Sequence, residues 1–265
     1  MFYLLNRVLR DFSNWERPLR WTILSSLALL LILSLIILFG PYELRLPACI
    51  GAFGLIALSQ VAVMLAYRDM VSPLVKAQRD YLANDFEAAK TTLEELLRQG
   101  KADVRALTVL GNTYRQLGDL EASKAVLYEA LNKNPEHQFP LYGIGRTLLS
   151  EGDYVGAVDA LQRALAAGAP EVTRLDLAEA LYRIEHDEEA RAVLAAVDPQ
   201  ILDGDPARLL MFHYLNAQVT GADAKAAFPL EGLPFWEAMA ERFSNTRYGR
   251  DLAVDVKRMQ GVDAS

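Results

Sequence analysis

Two stretches without a charged side chain, 21–39 (WTILSSLALLLILSLIILF) and 47–67 (PACIGAFGLIALSQVAVMLAY), follow a basic lead-in. From about residue 70 onward the pattern changes. Apolar positions there recur every three or four residues, the spacing of one face of an α-helix. Within 104–135, VRALTVLGNTYRQLGDLEASKAVLYEALNKNP, two such patterns are joined by Gly118-Asp119, and the chain repeats this plan before and after. A helix pair of this kind cannot bury its apolar face alone, so the pattern predicts an all-α chain of stacked pairs.

The first apolar run is long enough for a membrane. At 1.5 Å per residue it covers roughly 28 Å, about the hydrocarbon thickness. A cleaved signal peptide has a shorter apolar region and a small-residue exit site, so cleavage is not expected here. Residues 40–46 read as a tight polar connection, which makes the two spans antiparallel neighbours in a transmembrane hairpin, 21–67. Residues 1–20 alternate bulky apolar side chains with arginines. They read either as a helix lying in the membrane interface or as a basic flank to the first span. In the second span Ala48, Ala52, Ser59, Ala62 and Ala66 share one stripe, with Gly51 nearby and Gln60 the strongly polar side chain. Small residues let helices approach closely in lipid, either within the hairpin or against a partner's helices. Gln60 is expected to face a helix rather than lipid. Arg7, Arg10, Arg17 and Arg20 precede the first span, and Arg68, Lys76 and Arg79 follow the second, against Arg45 between them. The positive-inside rule then puts both termini on the cytoplasmic side.

Charge and cysteine content narrow the partners. Residues 1–67 carry a net charge of +2, which leaves 22 basic and 31 acidic residues in 68–265, a net of −9. An acidic soluble part argues against nucleic acid, whose phosphates call for a basic stripe. One cysteine, Cys49, excludes an internal disulfide and a cysteine-based zinc site, and its apolar surroundings make it a small hydrophobe.

The repeated stretch resembles the tetratricopeptide repeat family, built from a helix-turn-helix unit of about 34 residues. Residues 104–137 match its pattern with Leu107, Leu110, Gly111, Tyr114, Gly118, Asp119, Leu127, Ala130 and Pro135, Ser123 standing where alanine is usual. From Gln138 the match is Leu141, Ile144, Gly145, Leu148, Gly152, Asp153, Tyr154, Ala157, Leu161 and Ala164, with Pro170 one place late. A unit from Met70 keeps Ala77, Asn84-Asp85-Phe86, Ala89 and Leu93 but has Pro73 and Lys76 at usually apolar places. A unit from Glu171 keeps Leu177, Ala178, Leu181, Ala190 and Leu194, and its turn reads Glu185-His186-Asp187. The resemblance implies a right-handed α-solenoid of about four repeats over 70–204. Residues 205–260 then read as a degenerate repeat with helices capping the exposed last face, and 261–265 as a mobile tail.

Function follows from the same resemblance. In this family the first helix of each repeat lines a concave groove that binds protein segments. Carried over, the groove consists of Gln78 and Tyr81, then Arg105, Thr108, Asn112, Arg115 and Gln116, then Phe139, Tyr142 and Arg146, then Glu179, Tyr182 and Arg183. Arginine, asparagine and tyrosine there suit an extended peptide or a carboxylate, although the groove could equally be solvated with binding elsewhere. The lysine/asparagine clamp of chaperone-binding members is not reproduced. No HExxH, nucleophile elbow or phosphate loop is present, and His137, His186 and His213 lie far apart; His213, on an apolar helix, is expected in the core. The expectation is a non-enzymatic membrane scaffold without cofactor, metal or small-molecule substrate. Its partners are the bilayer and another membrane or membrane-associated subunit. Its setting is a bacterial inner membrane, beside a complex such as an exopolysaccharide secretion machine or a bioenergetic complex. Alternatively, the hairpin is an integral part of a larger complex and the repeats are secondary.

Overall fold

The computed structural model describes residues 17–68, 72–221 and 229–261. The expected interfacial segment before residue 17 and the tail after 261 lie outside the described residues. Thirteen α-helices are present among those described, and the chain divides into two units, 1–72 and 73–265.

The first unit is a helix pair, α1 (Arg17–Phe39) and α2 (Tyr42–Arg68), packed on each other. Their connection is shorter than the sequence suggests. Residues 42–46 belong to α2, so the link shrinks to Gly40 and Pro41. Leu44 N donates to Pro41 O at 3.0 Å, which starts the helix at once. Pro47 lies inside α2, in its second turn, and costs the helix one i→i−4 backbone bond. Among the described residues α2 is the helix long and apolar enough to cross a membrane, over Tyr42–Val61, while Leu24–Phe39 of α1 is apolar but shorter.

The second unit begins with four antiparallel pairs. They are α3 (Pro73–Leu82) with α4 (Phe86–Arg98), α5 (Val104–Gln116) with α6 (Leu120–Lys133), α7 (Gln138–Glu151) with α8 (Tyr154–Ala166), and α9 (Thr173–Arg183) with α10 (Asp187–Ala195). Each pair packs on the next. Glycine makes two of the close approaches possible. A Cβ on Gly111 would lie 2.4 Å from Leu127 Cγ, and one on Gly145 2.6 Å from Leu161 Cγ. The turns use a left-handed residue at equivalent places, Asn84, Gly118, Gly152 and Glu185, with φ of +61°, +84°, +96° and +61°. The next helix then starts on a carboxylate in three of the four cases. Asp85, Asp119 and Asp153 accept from Ala88, Ala122 and Gly156 backbone N–H, offsetting unpaired donors of the first turn. The turn at Glu185 therefore forms without glycine, and the fourth pair is complete.

Beyond Pro199 the chain forms a short 3₁₀ turn, Pro199–Leu202, and α11 (Pro206–Thr220), which packs on α9 and α10. Its apolar side chains Leu210, Phe212 and Leu215 are buried. His213 is exposed rather than in the core. A second 3₁₀ turn (Leu230–Gly232), α12 (Leu233–Arg242) and α13 (Arg247–Met259) complete the unit. α12 covers α11, but the pair does more than cap the last face, because α13 packs against α7, two repeats back. Trp236, Phe243, Tyr248 and Leu252 of this pair belong to the same core as Leu148, Leu161, Leu181 and Leu215.

Candidate functional site

The first helices of the repeats, α3, α5, α7 and α9, carry every residue that the resemblance assigns to the groove. The structure divides that set in two. Over α3, α5 and the start of α7 the side chains are accessible to differing degrees. Arg105 is exposed and Phe139 is 45% exposed, while Gln78, Tyr81, Asn112 and Gln116 are half-buried. Tyr81 rests edge-on against Phe86, with ring centroids 5.4 Å apart. Leu82, at the end of α3, is 80% exposed. Thr108 is buried and donates its hydroxyl to Val104 O at 2.7 Å, so it serves its own helix.

Over α7 and α9 the groove residues meet the C-terminal helices instead of solvent. Arg183, its side chain buried, is paired with Asp255 of α13 and with Glu179 Oε1 at 3.2 Å. Asp255 also accepts from Tyr214 OH of α11 at 2.5 Å. Tyr154 OH donates to Asp251 of α13 at 2.5 Å, and Arg247 stacks over the Tyr154 ring at 4.8 Å. Arg242 of α12 donates to Gln116 Oε1 at 2.6 Å. Tyr182 lies edge-on to Tyr214 with centroids 6.4 Å apart. Tyr142 OH donates to Asp176 Oδ2 at 2.6 Å, and Arg146 Nε lies 3.7 Å from the same carboxylate.

The electrostatics follow from this burial. Glu179 is 2% exposed, and burial holds its carboxyl above the usual range, with Arg183 offsetting part of the effect. Tyr142 is pushed up to about 12, first by burial and then by Asp176. Arg183 is held above the ordinary range because Asp255 and Glu179 outweigh the cost of its burial. Arg115, at 1% exposure, moves the other way, to about 10, lowered by burial and by Arg146. A closed, paired arrangement of this kind binds and positions side chains, and no nucleophile and base are brought together in it.

The expected helix-packing set on α2 is also divided. Ala48 is buried, Ala52 and Ser59 are half-buried, and a Cβ on Gly51 would lie 3.7 Å from Leu33 Cδ1, so that side faces α1. Ser59 donates to Leu55 O at 2.7 Å. Gln60 is exposed rather than turned onto α1. The side chains of Ala62 and Ala66 lie outside the described residues.

Stacked antiparallel pairs with this glycine and alanine pattern define an α-solenoid repeat protein. Two family models, both described as tetratricopeptide repeat, match residues 104–137 and 148–211, and these stretches are tetratricopeptide repeats. Comparison with curated proteins gives no match. Among solved structures, the chain is similar to YrrB, "a TPR protein with an unusual peptide-binding site". That match has 19% identity and a TM-score of 0.45, and covers 75% of this chain and 97% of that one. "MamA MSR-1 C2" is similar at 16% identity and a TM-score of 0.42, covering 71% and 92%. The C-terminal part of a repeat-containing protein from Cytophaga hutchinsonii is similar at 13% identity and a TM-score of 0.43, covering 78% and 89%.

Sequence reasoning did not find the occupant of the groove. A signal was present. Tyr248, Asp251 and Asp255 recur at three- and four-residue spacing on one side of α13, which suits the arginines at Arg146 and Arg183.

Proposed function

We propose that the protein is a non-catalytic scaffold, anchored in a bacterial inner membrane by α1 and α2, whose repeats hold a protein partner beside a membrane complex. The observation that carries this reading is the accessible inner face of the first two repeats and the start of the third. Arg105, Phe139 and Leu82 are exposed there beside half-buried Gln78, Tyr81 and Asn112, a mixture of apolar and hydrogen-bonding groups that suits a protein segment. The tetratricopeptide repeats in 104–137 and 148–211 support it. The anchor is supported by the surface of the first unit, where Trp21 is 72% and Phe53 77% exposed, apolar area that lipid would cover. The arginine distribution favours both ends and the repeats on the cytoplasmic side. Confinement to one surface raises the effective concentration of scaffold and partner and strengthens a weak contact without new bonds.

Affinity capture from native membranes tests the site. An Arg105→Glu/Phe139→Ser chain changes two exposed groups, so it should keep its helicity and melting temperature and lose the partner. An unchanged set of captured proteins would contradict the assignment. A reporter fused after Ser265 tests the topology, and a periplasmic signal would overturn the orientation.

A further inference from the structure

The inner face from Gln116 to the fourth repeat is already occupied, and its occupant is held by polar contacts as well as by apolar packing. α12 and α13 set Arg242 on Gln116, Asp255 on Arg183 and Asp251 on Tyr154. Of these only Arg183–Asp255 is a buried ion pair, and such a pair fixes register more than it adds net stability, because each ion gives up hydration to form it. The seat is also incompletely filled. A cavity of about 200 Å³ is lined by Phe235 and Trp236 of α12 on one side and by Arg146, Asp176 and Glu179 on the other.

One charge on this face has no acid of its own. Arg115 is 1% exposed, and its Nε has no hydrogen-bond partner among the described residues. Its neighbour Arg146 repels it and contributes, after burial, to lowering its pKa. Asp176, the acid on the same face, is already engaged by Tyr142 and Arg146. α13 delivers its two carboxylates, Asp255 and Asp251, to Arg183 and Tyr154. A guanidinium buried without a partner is costly, and that cost weighs on the closed arrangement.

We infer that α12 and α13 are a displaceable occupant of the inner face, held there in place of a partner helix that carries carboxylates along one side. This rests on the reading that the inner face binds a partner, and it names that partner's chemistry. α13 itself shows the pattern with Tyr248, Asp251 and Asp255. A partner helix with one more carboxylate also satisfies Arg115. Leu252, Val256 and Met259 keep the pair seated when no partner is present.

Hydrogen exchange on the full-length chain tests this without a partner in hand. The amides of α12 and α13 should exchange through a separate opening, at least tenfold faster than those of α7 and α9. Asp251→Asn/Asp255→Asn should speed that opening further and keep it separate from, and faster than, exchange in α7 and α9. Arg115→Met, which removes the uncompensated charge, should slow it. A single common rate for all four helices, or faster opening in Arg115→Met, would overturn the inference. A labelled peptide of residues 229–261 serves as the probe for the vacated face. It should bind the Asp251→Asn/Asp255→Asn chain and lose binding when Arg183→Met is added; binding that survives Arg183→Met contradicts the assigned face. Failure of the scaffold reading would show elsewhere, as no partner captured from membranes while these rates stay as expected.

Discussion

Glu185 stands where Gly118 and Gly152 stand in the neighbouring repeats, and it holds φ at +61° with a side chain attached. A left-handed backbone costs a non-glycine residue on the order of 1–3 kcal/mol. Glycine would remove that strain and lose roughly 0.5–1 kcal/mol to unfolded-state entropy. Glu185→Gly is therefore expected to stabilise by about 1 kcal/mol in urea unfolding. The opposite holds at Gly145, where a side chain would enter space held by Leu161. Gly145→Leu should cost about 1–3 kcal/mol or more by overpacking, read from the same curves. Glu179 tests the electrostatics of the buried face. Its folded carboxyl is held above the ordinary value of 4.5, so the folded state keeps a proton that the unfolded chain releases. The resulting stability is present below that ordinary value and is lost as pH rises through the raised one. Glu179→Gln removes this loss. Its urea midpoint relative to the natural chain should rise as pH increases above that ordinary value, and a constant difference would contradict the assignment.

At the scale of elements, the helix pairs were legible because their signals are local. Gly111 and Gly145 mark the close approaches, and Asp119 and Asp153 mark the helix starts, each within a few residues of what it controls. The fourth turn was harder to read, since Glu185 carries no glycine signal. The start of α2 was misplaced because Pro47 looks like a helix start, whereas Pro41 already supplies one. The fold-back of α13 had only the stripe of Tyr248, Asp251 and Asp255 as a signal, and nothing local named what that stripe would meet. It depends on Asp255 meeting Arg183, 72 residues away, and Asp251 meeting Tyr154, 97 residues away. The groove was correspondingly half legible, since its lining follows from repeat register and its occupant from tertiary packing. Removing one side of the buried pair tests that packing. Asp255→Ala leaves Arg183 and Tyr214 without their shared acceptor and should cost about 3–5 kcal/mol, measured as a fall in urea midpoint.

For the whole molecule, the account joins an apolar helix pair to a repeat solenoid that is filled at one end of its inner face and accessible at the other. The accessible end is where a partner is proposed to sit, with the bilayer keeping scaffold and partner on the same surface. A photo-crosslinking residue tests this most directly when placed at Phe139 on the inner side and, separately, at Tyr128, which is exposed on the second helix of its repeat. After irradiation of native membranes, the account expects a discrete protein adduct from position 139 and none from position 128. An adduct from position 128 with none from 139 would contradict it.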